Sequence, residues 1–452
     1  MPKDTSGQAG RKMAAPEVHA LQPLSFGTGG RKRRPVRQGD PVRATVTLVA
    51  SALPLLVATA AAAGAQTGSP AGPVPVERLV ARRAVLLERL HDGVAVVPAG
   101  ELRSIDGDYP QDSDYRESND FFYLTGLEAP GARLVLLART SGPDSAILYL
   151  SESGSERWTG GSHAPGPEAA RLTGITDVRA IPPDSTRLVA RRRGLESIPV
   201  HQVAAELASL RQIKDQDELQ RLRRAVGITT EAFLEAMAQA KPGMYEYEVE
   251  ALIEYGFRRR GAERVGFPSI VGSGPNGTIL HYDENRRQMK EGELVVIDVG
   301  AEYGYYSADL TRTLPVSGRF TVRQRRLYDL VLGAQQAAID AVRPGTSLGA
   351  LNQIARSHLR TRSGGLCGPF GCDHYFIHGL SHWLGMDVHD PGSFSRRLEP
   401  GMVLTVEPGI YLPEESLGIR IEDVVLVTRS GAEVLSSGLP RSASAVERTM
   451  GE

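Results

Sequence analysis

Residues 294–313 read Leu-Val-Val-Ile-Asp-Val-Gly-Ala-Glu-Tyr-Gly-Tyr-Tyr-Ser-Ala-Asp-Leu-Thr-Arg-Thr, and the pattern of this stretch decides how the chain is organised. Its first part is an apolar, β-branched run of the kind that forms a buried strand, with Asp298 in its middle. A carboxylate buried there needs a partner, because an unpaired charge away from water is costly. The second part alternates Asp309, Thr311 and Thr313 against Leu310 and Arg312, a strand period, and Tyr303-Gly304 is the expected turn between the two runs. That turn pairs Glu302 with Tyr305 and, counting outward, Asp298 with Asp309. Like charges directly opposite destabilise a sheet, so the pairing implies a cation between them or a shared proton. The plain alternative is one Asp in a loop or a salt bridge.

Further along, the carboxylate theme recurs. Met402-Val-Leu-Thr-Val-Glu407 and Gly418-Ile-Arg-Ile-Glu422-Asp-Val-Val425 are both strand-like, with the turn between Leu412 and Ser416. A turn centred between Glu414 and Glu415 sets Glu407 opposite Glu422. Two such pairs in apolar settings point to a shared cation site. Between them His374, His378, His382 and His389 crowd one segment, four of the ten histidines in the chain. Four carboxylates with one imidazole suit a pair of manganese, cobalt or zinc ions, whereas a structural zinc prefers thiolate.

Helix signals precede each hairpin. Asp215 or Asp217 can cap a helix that stops at Lys241-Pro242-Gly243, and Tyr247 to Arg260 gives a second one, ended by Gly261. Thr321 caps a third, through about Val342, and Ser347 a fourth, through Leu359. The order helix, helix, strands occurs twice, which suggests an architectural pseudo-repeat in a mixed α/β domain. Between the second helix and the first hairpin, a Gly- and Pro-punctuated connection delivers His281 at a strand end, where a lone histidine is more often structural than chemical.

Upstream, residues 77–205 read as a smaller α/β domain and 206–446 as the larger one. Val76 to Leu90 has helical spacing, and Val94–Val97, Arg133–Ala138 and Ala146–Leu150 are strand candidates. A polar loop from Asp108 leads into an aromatic run, Phe121-Phe-Tyr-Leu-Thr125, expected as a strand. The Asp cluster at 106–120 lacks the Gly and terminal Glu of an EF-hand and reads as a solvated loop, and Arg187–Arg193 as a charged helix face. Residues 1–43 are basic and rich in Gly and Pro, and 44–63 are uncharged and rich in Ala, Val and Leu. Together they read as an export signal or a membrane anchor, the cleaved signal being favoured over the retained anchor, with Ala63-Gly64-Ala65 as the cleavage site and 66–76 as a flexible tether. Lys+Arg 52 against Asp+Glu 53 gives no bias toward nucleic acid, and neither a zinc-finger nor a P-loop spacing occurs.

These motifs resemble the pita-bread metallopeptidases, most closely the aminopeptidase P (Xaa-Pro aminopeptidase) branch, over about residues 77–446. The resemblance is carried by Asn-Gly-Thr-Ile-Leu-His-Tyr at 276–282, Asp-Val-Gly at 298–300, Ser-Ala-Asp-Leu-Thr-Arg-Thr at 307–313, His-Gly-Leu-Ser-His-Trp-Leu-Gly-Met-Asp-Val-His-Asp at 378–390, Val-Glu-Pro-Gly-Ile-Tyr at 406–411 and Ile-Arg-Ile-Glu-Asp at 419–423. It implies a C-terminal pita-bread fold with a pseudo-twofold repeat, preceded by a smaller domain that shapes the cleft and promotes a dimer or tetramer. It makes Asp298, Asp309, His382, Glu407 and Glu422 the ligands of two divalent ions, manganese ahead of cobalt or zinc. It makes His281, His378, His389 and Arg420 residues that contact the ligands or the substrate.

The implied reaction is hydrolysis of an N-terminal Xaa-Pro bond by a metal-activated hydroxide, with Glu407 shuttling the proton and His378 and His389 donating to the oxyanion. His281 and Trp383 are candidates to line the proline pocket, Trp383 equally a core residue, and Arg420 to orient a ligand carboxylate. A dipeptide-specific prolidase and a catalytically silent binding protein of the same fold are the alternatives. A metal-free creatinase-like enzyme is disfavoured because all five ligands are present. Cys367-Gly-Pro-Phe-Gly-Cys372 stands outside the family pattern; in an exported chain a disulfide closing that loop is one reading and two free thiols the other.

Overall fold

A computed structural model describes residues 69–101, 115–139, 145–151, 163–181 and 196–451. The basic leader, the apolar run at 44–63, most of the Asp cluster and Arg187–Arg193 lie outside the described residues. Among those described, no helix is long and apolar enough to cross a membrane.

The N-terminal half is a four-stranded sheet in sequence order, β1 (Gly93–Pro98), β2 (Arg133–Ala138), β3 (Ser145–Leu150) and β4 (Asp177–Ala180), antiparallel except for β3 with β4. Helix Val76–Leu90 buries Leu79, Leu86, Leu87 and Leu90, the face its spacing predicts. The aromatic run expected as a strand is instead a helix, Asn119–Thr125. Ser118 caps it by accepting from the Phe121 N–H, and Gly126, at φ 68°, ends it. Capping at both ends outweighs the β preference of Phe and Tyr. The tether expected to be flexible is tied down over its described part: Val74 is buried, and the Gly72 carbonyl accepts from Arg221 Nη2 at 2.8 Å.

The boundary expected at 205 falls inside helix Val200–Arg211, and the described residues group as one unit. The N-terminal half is joined to the rest by polar and aromatic contacts. Arg116 Nε donates to Glu302 Oε2 at 2.8 Å, and Phe122 stacks on Tyr305 with ring centroids 3.7 Å apart.

Helices Gln216–Gln239 and Glu246–Arg259 pack together ahead of the first hairpin, and Val322–Asp340 and Leu348–Arg362 ahead of the second. Asp215, Thr321 and Ser347 are the N-caps of three of these helices. The first hairpin region comprises β5 (Arg264–Val265), β6 (Ile270–Ser273), β7 (Leu294–Val299), β8 (Ala301–Tyr303), β9 (Tyr306–Ser307) and β10 (Leu310–Pro315). The second comprises β11 (Val403–Val406), β12 (Gly409–Leu412), β13 (Leu417–Arg420), β14 (Asp423–Val427) and β15 (Ala432–Val434). Every residue of β7 is buried; each fully buried Val or Ile there stabilises the fold by about 1.5–3 kcal/mol.

The first hairpin departs from the expected register. Its turn is Gly304-Tyr305, at φ 57° and 74°, so Glu302 pairs with Ser307 and Asp298 with Thr311. The slip is two residues, which preserves the face of every side chain; a slip of one would have inverted them all. The second hairpin pairs as expected: Gly409 with Arg420 and Val406 with Asp423 leave Glu407 opposite Glu422.

Both hairpins are broken beside their carboxylates. Gly300 lies between β7 and β8, where a Cβ would overlap the Ala308 carbonyl, and Asp309 falls in the gap before β10. Glu407 and Glu422 occupy the corresponding gaps of the second hairpin. Arg312 links the two. It is fully buried, donating through Nη1 to the Glu422 carbonyl at 2.5 Å and through Nη2 to Asp423 Oδ1 at 2.8 Å.

Candidate metal centre

Asp298 and Asp309 reach one point from neighbouring strands. With Thr311 opposite Asp298, Asp309 is the diagonal neighbour, and their carboxyl groups adjoin. Glu407 and Glu422 come from the second hairpin, and His382 from the loop ahead of β11. His382 Nε2 lies 3.3 Å from Asp309 Oδ2 and 3.4 Å from Glu407 Oε1. One ligand atom each of Asp309, His382 and Glu422 lies within 4.8 Å of the others.

Three observations fit this donor set to divalent cations. Asp298 Oδ1 and Glu422 Oε1 are buried without a hydrogen-bond partner, whereas buried polar atoms are nearly always paired. Their sister oxygens are held by the protein: Asp298 Oδ2 accepts from Arg420 Nη2 and Glu422 Oε2 from Thr311 Oγ1, each at 2.7 Å. His382 Nδ1 lies 3.1 Å from the Trp383 carbonyl, so Nδ1 carries a proton and Nε2 is the nitrogen turned toward the carboxylates, where a cation would take it. Finally, burial and mutual repulsion push Asp309 and Glu422 well above the usual carboxylate range. Burial likewise pushes Glu407 up to about 7 against the lowering pull of His382 and Arg420. A cation among these groups removes that cost.

The surrounding residues hold the set in place. Arg420, 3% exposed, donates to Asp298 and, through Nη1, to the Tyr411 hydroxyl at 2.9 Å, so it fixes the direction of the Asp298 carboxylate. The Tyr411 hydroxyl in turn donates to His378 Nε2 at 2.8 Å, while His378 Nδ1–H donates to the Gly379 carbonyl at 2.8 Å. Burial and Arg420 lower the His378 pKa to about 4, so the ring is neutral. In this conformation both His378 nitrogens are engaged within the protein, which differs from the free donor expected from sequence. His389 opens to solvent on the cavity wall with its ring centroid 4.2 Å from that of His382, and partial desolvation by that wall, together with the neighbouring His382 and His281, lowers its pKa.

Nine residues were singled out from the sequence: Asp298, Asp309, His382, Glu407, Glu422, His281, His378, His389 and Arg420. All of them line one cavity of about 650 Å³. His281 arrives there from an irregular segment after a 3₁₀ turn, Gly274–Thr278, rather than from a strand end. Trp383 does not line the cavity; it is 1% exposed and pairs with Leu404 in an isolated bridge. Sequence reasoning missed Thr311, Thr405 and Tyr411. Thr405 Oγ1 donates to Glu407 Oε1 at 3.1 Å and accepts from the His382 N–H at 3.2 Å. The two-residue spacing of Asp309 with Thr311, and of Thr405 with Glu407, was the available signal.

Residues 220–429 match the family model for metallopeptidase family M24, and residues 79–191 match that for the aminopeptidase P N-terminal domain. The chain is 36% identical to the Xaa-Pro aminopeptidase of Escherichia coli (strain K12), over 82% of this chain and 96% of that one. It is 32% identical to Xaa-Pro aminopeptidase 3 of Rattus norvegicus, over 79% and 80%. Among solved structures, zinc-substituted Escherichia coli aminopeptidase P in complex with product is similar at a TM-score of 0.75 and 32% identity, covering 84% of this chain and 99% of that one.

Proposed function

Because the chain belongs to metallopeptidase family M24, with the pita-bread fold of its aminopeptidase P branch, we infer that it is a metal-dependent Xaa-Pro aminopeptidase whose Asp298, Asp309, His382, Glu407 and Glu422 hold two divalent cations. One observation carries the site assignment: Asp309, Glu407 and Glu422 gather around His382, Asp298 adjoins Asp309, and two buried oxygens, Asp298 Oδ1 and Glu422 Oε1, are left unpaired. Such ions, when bound, polarise a scissile carbonyl and bring the pKa of a water toward neutrality.

The chain's own residues do the rest. Arg420 and Thr311 fix the rotamers of Asp298 and Glu422, and Thr405 that of Glu407. Glu407 takes a proton from the attacking water and passes it to the leaving nitrogen. When the second residue is proline, that nitrogen belongs to a tertiary amide with no N–H and a fixed ring. Phe267, Leu280, Val388 and Phe394 supply apolar wall for such a ring. His389 and His281 donate to the substrate carbonyls, each worth about 2–4 kcal/mol if placed like other oxyanion donors.

We propose manganese as the native metal, since carboxylate oxygens outnumber the single imidazole. The Cys367–Cys372 disulfide supports export through residues 44–63 to an oxidising compartment. Exposed Phe370, ahead of the His374–His378 segment, and Ile377, within it, support a homo-oligomer.

The test is hydrolysis of Arg-Pro-Pro against Ala-Pro by protein from Gln66 onward, stripped of metal and then supplied with manganese, cobalt or zinc. Cleavage of the tripeptide only after metal is restored is expected. Cleavage of the dipeptide alone makes the protein a prolidase, and silence on both with every metal contradicts the reading.

A further inference from the structure

We propose that Asp390, clamped by Arg211 and Lys214, is a positioning residue that sets the His389 ring against the metal centre. The proposal rests on the role given to His389 above. The segment from His382 to Asp390 leaves the centre and returns to it, carrying His382 at one end and His389 at the other. Asp390 follows His389 directly, yet its side chain is 1% exposed.

Each oxygen of Asp390 has its own cation. Oδ1 accepts from Arg211 Nη2 at 2.6 Å and from the Asp387 N–H at 3.2 Å, and Oδ2 accepts from Lys214 Nζ at 2.8 Å. The Asp390 N–H donates to the Trp383 carbonyl at 2.9 Å, the oxygen to which the His382 Nδ1–H also points. One carbonyl therefore registers both ends of the loop: it sets the His382 tautomer and anchors the residue after His389. Gly385 permits the closure, because a Cβ there would overlap the Asp390 carboxylate.

The clamp also ties the loop to distant chain. Arg211 ends helix Val200–Arg211 and donates to Asp387 Oδ2 at 2.6 Å and to Asp120 Oδ1 at 2.9 Å. Asp120 lies in helix Asn119–Thr125 of the N-terminal half. A buried ion cluster is an inefficient source of stability, because desolvation offsets much of its attraction. What charge-assisted bonds on both carboxylate oxygens provide is direction. Direction is what a donor beside a metal centre needs, since a misplacement of about 1 Å can cost on the order of a hundredfold in rate.

The test is a double-mutant cycle in the metal-loaded full chain, with Arg-Pro-Pro as substrate: Asp390→Asn, His389→Ala and both together, with metal content and Tm read for each. Asp390→Asn is expected to lower kcat about 10–100-fold, with KM changed less than about threefold and metal content unchanged. In the His389→Ala background the same substitution should change kcat less than about twofold, because its effect passes through His389. Wild-type kcat in Asp390→Asn overturns the proposal, and so does an equal loss in both backgrounds, which makes the cluster a general support of the fold. If Asp390→Asn does not fold, Lys214→Met removes one cation and keeps the Arg211 bond, and the same non-additivity is expected. Full activity in His389→Ala removes the role assigned to His389 and this inference with it, whereas inactivity there with no effect of Asp390→Asn or Lys214→Met sinks the inference alone.

Discussion

The two carboxylate hairpins share a plan and differ in what holds them. In the first, the turn is two residues at positive φ, Gly304-Tyr305, and the Asp298 carboxylate is gripped by Arg420, a cation from the other hairpin. In the second, the turn is the longer Pro413–Ser416 segment, and its carboxylates are held by hydroxyls: Glu422 by Thr311 of the first hairpin and Glu407 by Thr405 of its own. Each half thus supplies a group that the other needs. Arg312, buried beneath both, completes the exchange through the Glu422 carbonyl and Asp423. A pseudo-repeat of two helices and a hairpin would put a similar pair of acids on each side; reciprocal contacts between the sides turn two pairs into one site.

The comparison breaks most completely at a ligand. Asp309→Ala removes the carboxylate nearest His382 Nε2, and we expect peptidase activity at background and a lower metal count by elemental analysis. Arg420→Met tests the cross-hairpin grip: it frees Asp298 and the Tyr411 hydroxyl together, and metal affinity by titration should fall about 10–100-fold. Unchanged affinity would mean that the two hairpins hold their ligands independently. Between the threonines, Thr311→Val should weaken metal binding more than Thr405→Val. Thr311 Oγ1 both donates to Glu422 and accepts from Arg420 Nε at 3.3 Å, so its loss is felt in both hairpins. A bond of this kind to a charged group contributes about 1.5–3 kcal/mol, and the reverse order would localise the coupling elsewhere.

The smallest effect concerns a constraint on the second half that the first lacks. Cys367–Cys372 closes a loop next to Asp373, whose carbonyl accepts from Arg356 Nη1, while Arg356 Nη2 donates to the His378 carbonyl, both at 3.1 Å. Replacing both cysteines by serine should lower unfolding stability by about 2 kcal/mol on loop-closure grounds. It should also raise KM for Xaa-Pro peptides more than it lowers kcat, by loosening the wall that bears His378.

The register of the hairpins shows how far the sequence carried. The first was expected two residues from where it lies because Tyr303-Gly304 and Gly304-Tyr305 are both credible turns, and only Tyr305 accepting φ 74° separates them. Side-chain parity survived the error, so Asp298 and Asp309 were still placed on one face. The helix at Asn119–Thr125 was hidden because its aromatic residues favour strands and its caps are single residues. Thr311 and Thr405 were hidden for another reason, since a hydroxyl becomes informative only when its acceptor is known. The Arg211–Asp390 contact joins residues 179 apart in sequence, and no local pattern marks such a pair.

The most direct test of a site assembled from two interdependent hairpins is calorimetric titration of the metal-free protein with manganese, with cleavage of Arg-Pro-Pro followed in parallel. The account predicts two ions per chain in the wild type, activity that rises with occupancy, and loss of both in Glu422→Ala as in Asp298→Ala. Two ions bound with full activity in either variant would contradict it, because each hairpin would then suffice alone.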